Sequence, residues 1–150
     1  MIELRGCVFP EGLHYHVEHN VWARRDDDGQ VIVGITSYAS AIAGEIVAFA
    51  AKRPGTQIDQ GKGLGIVELF KVVHSVRAPV SGQIVAVNER AESQPLVINR
   101  DPYGAGWLIR VEPSDWNRES TLLVTGPDIA DAFRRQMALD GFEGIPSPER

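Results

Sequence analysis

The sequence contains a single cysteine, Cys7, among its 150 residues. One cysteine cannot form a disulfide within the chain, which favours a reducing compartment. No stretch approaches the roughly 20 consecutive apolar residues that a membrane-spanning helix needs. Residues Met1–Gly6 also lack the positive-then-apolar pattern of a secretory signal. We therefore expect a cytoplasmic protein that does not span a membrane.

Positive charge is scarce as well. The chain has 15 lysines and arginines against 20 aspartates and glutamates, a formal net charge of −5 at pH 7, and no basic cluster. This balance argues against non-specific binding to nucleic acid or to an anionic membrane.

Residue patterns typical of catalytic or metal centres are also missing. His14, His16 and His19 lie close together in sequence, but no cysteine or carboxylate accompanies them at ligand spacing. The acidic run at 26–28 lacks the EF-hand spacing, and the glycines at 61–65 do not open a helix as a phosphate-binding loop does. No Ser-His-Asp or paired-carboxylate arrangement is recognisable. The sequence predicts no catalytic residues and no metal site.

Short apolar runs separated by Gly and Pro turns fill most of the chain, a pattern typical of small all-β domains. We predict one domain over 1–150: a small β sandwich or flattened barrel with a short helix near residue 40 and a C-terminal helix. The first ten residues are a lead-in. Strands are predicted over Val31–Ile35, Glu45–Ala51, Gln83–Asn88 and Trp107–Val111, and a turn over Asn99–Pro102. Thr36-Ser37 caps the first helix, which runs through Ala43, and Gly44 ends it. In the second helix, Ile129, Phe133 and Met137 form one apolar stripe that Gly141 terminates.

The most informative stretch is Leu64–Gly82, LGIVELFKVVHSVRAPVSG, in which Lys71 interrupts an apolar, β-branched run. From these residues alone, Lys71 could lie on the solvent face of one long strand or extend from a strand edge. The residues beside Lys71 include none of the Gly, Asn or Asp that usually mark a tight hairpin.

Several motifs around Lys71 occur together and in a familiar order. Val67-Glu68 precedes the lysine and Pro79–Gly82 follows it; further matches are Val33–Thr36, Tyr38-Ala39, Val87-Asn88 and Asn99–Leu108. The region resembles the lipoyl-attachment region of the glycine-cleavage H-protein family. The resemblance covers about residues 11–116 and leaves a C-terminal helical extension over about 117–142 and a mobile tail over 143–150.

The resemblance implies a lipoyl/biotinyl-type sandwich, a turn at the lysine, and a lipoyl group in amide linkage to Lys71. Glu68, Phe70 and Val72 would be flanking recognition residues for a lipoate-protein ligase or lipoyltransferase. The chain would be a carrier rather than an enzyme, moving a dithiol or disulfide between partner proteins on a tethered arm.

Two departures from the family bear on the cargo. The chain reads His19-Asn20-Val21-Trp22 where the family usually reads His-Glu-Trp, and it has Ser75 where the family usually has Asp. An arm that carries an aminomethyl group would gain from those carboxylates.

A second resemblance leads to a different pathway. Arg5-Gly6-Cys7, with Pro10, Leu13, Tyr15 and Trp22, and Val76–Pro79 are similar to lipoate-binding proteins of bacterial sulfur oxidation. We therefore predict a carrier that serves a heterodisulfide-reductase-like complex. The alternative is an aminomethyl carrier serving glycine decarboxylase, aminomethyltransferase and dihydrolipoyl dehydrogenase. A second alternative is an interaction module that carries no lipoyl group.

Overall fold

The computed structural model describes residues 1–145, and its strands are short and pair antiparallel. The strands are β1 (Ile2–Leu4), β2 (Cys7–Phe9), β3 (His14–His16), β4 (Val21–Arg25), β5 (Val31–Ile35), β6 (Ala48–Ala51), β7 (Gln57–Ile58), β8 (Gly63–Glu68), β9 (Val73–Arg77), β10 (Gly82–Val87) and β11 (Ile109–Pro113). The helices are α1 (Ser37–Ala43), α2 (Glu89–Ser93), α3 (Leu96–Arg100), α4 (Trp116–Glu119) and α5 (Ile129–Asp140), with 3-10 turns at Ser120–Leu122 and Gly126–Asp128. None of the helices within residues 1–145 is long and apolar enough to cross a bilayer.

The strands form three separate sheets. Six strands pair in the order β3-β4-β5-β11-β10-β7, three in the order β6-β8-β9, and β1 pairs with β2. The apolar side chains of the two larger sheets share one core, to which Val33, Val67 and Ile84 contribute. This arrangement confirms the predicted β sandwich, and no sheet within residues 1–145 closes into a barrel.

A second core joins the two ends of the chain. Phe9 of β2 stacks on Phe133 of α5 with ring centroids 4.0 Å apart, and Cys7 is buried in the same cluster. Ile129, Phe133 and Met137 are all fully buried, so the predicted stripe is confirmed. The prediction of a lead-in over residues 1–10 is wrong, because β1 and β2 pair there as a hairpin. The side chains of Cys7 and Phe9 on β2 attach this hairpin to the core.

Helix α1 has the predicted ends. Thr36 Oγ1 accepts a hydrogen bond from the Ala39 N–H at 3.1 Å, and Gly44 adopts a φ of 82° at the C-cap. The strand predicted from Glu45 begins only at Ala48. Before it, the Ile46 N–H donates to the side chain of Asn99 rather than to another strand.

Helices α2 and α3 are absent from the sequence prediction, which has only a turn over Asn99–Pro102. Each spans five residues, too few to show a helical period. Asn88 begins α2 by accepting from the Arg90 N–H at 3.2 Å. The amide of Asn88 also donates to the Ala105 and Trp107 carbonyls, which ties α2 to the following turn.

The predicted tail over 143–150 lies only partly within the described residues. The Ile145 N–H donates to the Arg5 carbonyl at 3.1 Å, so the chain is placed against the N-terminal hairpin as far as that residue. Residues 146–150 lie outside the described residues.

Candidate functional site

Lys71 lies at the tip of a hairpin formed by β8 and β9. The last strand pair is Glu68 with Val73, and beyond it the Leu69 N–H donates to the Val72 carbonyl at 2.8 Å. Phe70 and Lys71 are therefore the two tip residues, and the single-strand interpretation is wrong. Within residues 1–145 the only non-glycine residues with positive φ are Arg5 and Asn20. The tip thus adopts a turn that needs no glycine or asparagine, which explains why the sequence carried no turn signal there.

The tip position distinguishes Lys71 from the other two lysines. All three are exposed. The Lys52 N–H donates to the Leu64 carbonyl just after β6, and the Lys62 N–H donates to the Asp59 carbonyl in the turn before β8, so neither lies at a hairpin tip. The Nζ of Lys71 lies 5.8 Å from the centre of the Phe70 ring, and Lys71 forms no ion pair within the described part of the chain.

The Pro79–Gly82 motif fixes the chain beyond the hairpin. The backbone N–H and the hydroxyl of Ser81 each donate to the carboxylate of Glu119 at 2.7 Å. The Ser81 hydroxyl oxygen also accepts from the Gln60 N–H at 2.8 Å. A Cβ atom at Gly82 would lie 2.1 Å from the carbonyl oxygen of Glu112, so only glycine permits this approach of β10 to β11.

Glu119 escaped the sequence analysis although it is only 2% exposed. Its partner Ser81 lies 38 residues away in the sequence. No local pattern in α4 sets this glutamate apart from the exposed acids of the chain, so only the three-dimensional fold could identify it.

A cleft of about 300 Å³ lies beside the hairpin. It is bordered by residues of the β3–β4 turn, the end of β5, α1, Ile46, β8 and β9: His19, Asn20, Ile35, Ala39, Ile42, Ala43, Ile46, Val67, His74, Ser75 and Val76. The lining is mainly apolar, and none of these described residues is Asp or Glu.

The two family departures both reach this cleft. Asn20 and Ser75 both line the cleft. Val21 is fully buried and pairs with Ile35 in the main core. A carboxylate is therefore accommodated more readily at Asn20 than at Val21, because burying an unpaired charge is costly.

Two of the neighbouring histidines, His14 and His16, have lowered pKa values. His16 and His19 stack with ring centroids 3.9 Å apart, and the His19 N–H donates to Nδ1 of His16 at 3.1 Å. Burial lowers the pKa of His16, and the neighbouring His19 lowers it further. Burial also lowers the pKa of His14, which packs against Trp116. Among the described residues, no group of three or more His, Cys, Asp or Glu side chains is arranged to hold a metal ion.

Cys7 is expected to be nearly inert in the native protein. It is fully buried, and burial raises the pKa of its thiol to about 11. Since only the thiolate reacts, protonation alone should slow modification roughly a hundredfold relative to an exposed thiol. Colorimetric thiol titration should show slow reaction in buffer and fast reaction of one thiol in urea. Fast reaction in buffer would contradict the buried position.

Comparison with known proteins agrees with this architecture. The family model for the glycine cleavage H-protein matches residues 13–136. The glycine cleavage system H protein 2 of Aquifex aeolicus is 39% identical over 132 residues, covering 88% of this chain and 82% of the relative. The glycine cleavage system H protein of Mycobacterium avium is 45% identical over 106 residues, covering 71% of this chain and 80% of the relative.

A solved structure shows the same fold. The crystal structure of a glycine cleavage system H protein from Mycobacterium marinum matches with a TM-score of 0.66 at 38% identity, covering 71% of this chain and 87% of that chain. The sandwich, the family match and the identities lead to one conclusion: the chain belongs to the glycine cleavage H-protein family.

Proposed function

We propose that this chain is a lipoyl carrier and that its lipoyl group is joined by an amide bond to the Nζ of Lys71. The observation that carries the proposal is an exposed lysine at a two-residue hairpin tip. Lys71 forms no ion pair with a described residue, so acylation, which removes its charge, breaks no such contact. When bound, a lipoyl group supplies a cyclic disulfide that exchanges with thiols.

The chain's own residues present the lysine and shield its surroundings. Strand β8 pairs with β6 on one side and with β9 on the other, so the tip extends from the central strand of its sheet. The apolar cleft lies beside the same hairpin and offers Ile35, Ile42 and Ile46 as surface against which an apolar arm is protected from water. Glu68, Phe70 and Val72 flank the lysine where a modifying enzyme must approach.

Peptide mapping tests the attachment site. The protein is incubated with a lipoate-protein ligase, lipoate and ATP, and its intact mass and proteolytic peptides are then measured. We expect one lipoyl group on the peptide that contains Lys71, with Lys52 and Lys62 unmodified as internal controls. An unmodified chain would favour the interaction module, and a lipoyl group on another lysine would contradict the assignment.

For the pathway, we infer that glycine cleavage is the first candidate. The similar proteins are named glycine cleavage system H proteins, including the relatives from Aquifex aeolicus and Mycobacterium avium. The arm would then carry an aminomethyl group between glycine decarboxylase and aminomethyltransferase, and dihydrolipoyl dehydrogenase would reoxidise it. The heterodisulfide-reductase-like pathway predicted from the sequence gains no support from these comparisons.

One structural observation keeps a second candidate. An aminomethyl group is cationic when protonated and gains from a nearby carboxylate, yet the described lining of the cleft offers only the polar side chains of His19, Asn20, His74 and Ser75. A lining without carboxylates suits an uncharged or anionic sulfur cargo. A carrier of sulfur or electrons on the dithiol is therefore the second candidate.

The variant Asn20→Asp distinguishes the two cargoes. Asn20 lines the cleft, its Oδ1 accepts from the Thr36 hydroxyl at 2.9 Å, and an aspartate keeps that acceptor while adding a carboxylate. Asn117→Asp adds the same charge at an exposed position and is the matched control. Glycine-dependent carbon dioxide exchange is measured with lipoylated proteins and glycine decarboxylase.

We expect the parent to support exchange and Asn20→Asp to change the rate only a fewfold. A different result would favour the second candidate. In that result the parent shows only background exchange, and Asn20→Asp raises the rate about tenfold or more while Asn117→Asp does not. A tenfold effect corresponds to about 1.4 kcal/mol, less than a hydrogen bond to a charged group contributes.

A further inference from the structure

A second cavity, of about 540 Å³, is lined by residues of α2, α3 and the turn after α3, and we call it the α2–α3 cavity. It shares no lining residue with the cleft beside the hairpin. Leu96, Val97 and Ala105 supply apolar surface, whereas Arg90 and Arg100 supply positive charge. Small-molecule sites span roughly 300–1,000 Å³ and combine apolar surface with a few polar groups. The α2–α3 cavity has both properties.

Both arginines of the α2–α3 cavity lack a partner of opposite charge. Arg90 and Arg100 are exposed, and neither forms an ion pair within residues 1–145. Four other arginines do pair with a carboxylate: Arg53, Arg110, Arg118 and Arg134. A guanidinium group presents a planar fork of N–H donors that matches the oxygens of a carboxylate or a phosphate. The cavity therefore offers two unused forks to an anion.

The acid that borders the cavity does not cancel this charge. Asp101 is the only acid among the described lining residues. Its Oδ2 accepts a hydrogen bond from the Ala105 N–H at 2.8 Å, and a Cβ atom at Gly104 would lie 2.5 Å from the same oxygen. The carboxylate is therefore packed against its own turn. Two guanidinium groups and one carboxylate leave the lining with a net positive charge.

The fold itself does not require the two arginines. The buried side chains of α2 and α3 are Ala91, Val97 and Ile98, which attach both helices to the main core. Arg90 and Arg100 each lie in the last turn of a helix, where a cation favours the helix end. That effect is small at an exposed position and is screened by salt. It also gives no reason for both arginines to border one cavity.

We propose that the α2–α3 cavity binds a small organic anion, whose phosphate or carboxylate group is held by Arg90 and Arg100. The apolar part of the ligand lies against Leu96 and Val97, and the exposed side-chain amide of Gln94 offers a further donor. The site is separate from Lys71, and binding there does not depend on whether that lysine carries a lipoyl group.

The charge of the whole chain favours a small ligand over an acidic segment of a partner protein. The formal net charge is −5. An extended acidic segment would meet this negative charge around the cavity, and like charges across an interface are unfavourable. A small anion contacts only the lining, where the net charge is positive.

NMR titration of the isotope-labelled chain at low salt tests the site with three probes of similar size. Phenyl phosphate and phenylacetate carry the two candidate anionic groups, and benzyl alcohol is the uncharged control. We expect saturable amide shifts centred on Leu96 and Ala105 with at least one of the two anions below about 10 mM, and none with benzyl alcohol. The anion with the lower Kd identifies the preferred group.

A charge-matched pair of variants tests the arginines. One variant combines Arg90→Gln with Arg100→Gln. The control combines Arg24→Gln with Arg135→Gln, which removes the same charge at two exposed arginines that line no part of the cavity and form no ion pair with a described residue. We expect Kd to rise about tenfold or more in the first variant and to change less than about twofold in the control. Thermal melts of all three proteins should nearly coincide.

Lysine at the same positions separates charge from geometry. The variant that combines Arg90→Lys with Arg100→Lys keeps both positive charges but loses the planar forks. Its Kd should therefore lie between that of the parent and that of the glutamine variant. Added salt should raise the Kd of the parent, because the site is exposed to solvent.

Three outcomes would overturn the site. In the first, neither anion produces saturable shifts in the parent. In the second, the two charge-matched variants weaken binding equally, so the anions respond to positive charge in general. In the third, benzyl alcohol binds as tightly as the anions, and the arginines then hold nothing. None of these measurements requires a lipoyl group on Lys71, so their failure is distinct from a failure of the proposed function.

Discussion

Replacing Lys71 by arginine should abolish lipoylation and leave the fold unchanged. Arginine keeps the positive charge and a similar length, but its guanidinium does not lose a proton under protein conditions and cannot act as the attacking amine. Lys71 is exposed at the tip and forms no ion pair within residues 1–145. The free energy of unfolding should therefore change by no more than about 0.5 kcal/mol.

Intact mass measures whether the variant is lipoylated, and thermal melts measure whether its stability is unchanged. Lys62→Arg is the control that should still accept a lipoyl group. Because Cys7 is buried with a raised thiol pKa, rapidly reacting thiols report the arm. The reduced, lipoylated parent should show the fast thiols of a dithiol, and Lys71→Arg should show none. A modified Lys71→Arg protein would refute the attachment site, and a loss of several kcal/mol would show that Lys71 supports the fold.

Local signals in the sequence were sufficient for much of the sandwich. The run Val31–Ile35 was predicted as a strand and is buried along its whole length as β5. The caps of α1 and the stripe on α5 were predicted because each depends on residues close together in the sequence.

The hairpin tip shows where local reasoning failed. Phe70 and Lys71 have no turn residues beside them, and their negative φ values require none. Only the longer pattern from Val67 to Gly82 indicated a turn there. The residues alone left Lys71 either on the solvent face of one long strand or at a strand edge, and the family resemblance implied the turn.

Other features depend on residues that are distant in the sequence. His19 and His74 line one cleft although 55 positions separate them. The sequence analysis missed the N-terminal hairpin because the hairpin packs into a core that it shares with α5, more than 100 residues later in the chain. The cleft's lack of lining carboxylates likewise became visible only when the β3–β4 turn, α1 and β9 were brought together.

Glu119 gives the clearest test of such a distant contact, since Glu119→Ala should destabilise the protein by about 3–5 kcal/mol. The carboxylate accepts two hydrogen bonds from Ser81, each 2.7 Å long, and is 2% exposed. Its removal leaves the part-buried N–H and hydroxyl of Ser81 without their acceptor, and each unsatisfied group costs about 1–3 kcal/mol. The loss is a large part of the roughly 5–15 kcal/mol that stabilises a typical domain.

Urea denaturation of the parent, Glu119→Ala and Glu119→Gln measures this contribution, and Glu89→Ala on exposed α2 is the control. Glutamine retains one acceptor but places an NH2 group against the second donor, so its loss should be intermediate. Because Glu119 acts on the Ser81 turn rather than on the tip, the folded fraction of Glu119→Ala should still be lipoylated at Lys71. A double-mutant cycle with Ser81→Ala should give a coupling energy of about 1–3 kcal/mol. Additive effects would show that the carboxylate stabilises the fold by another route.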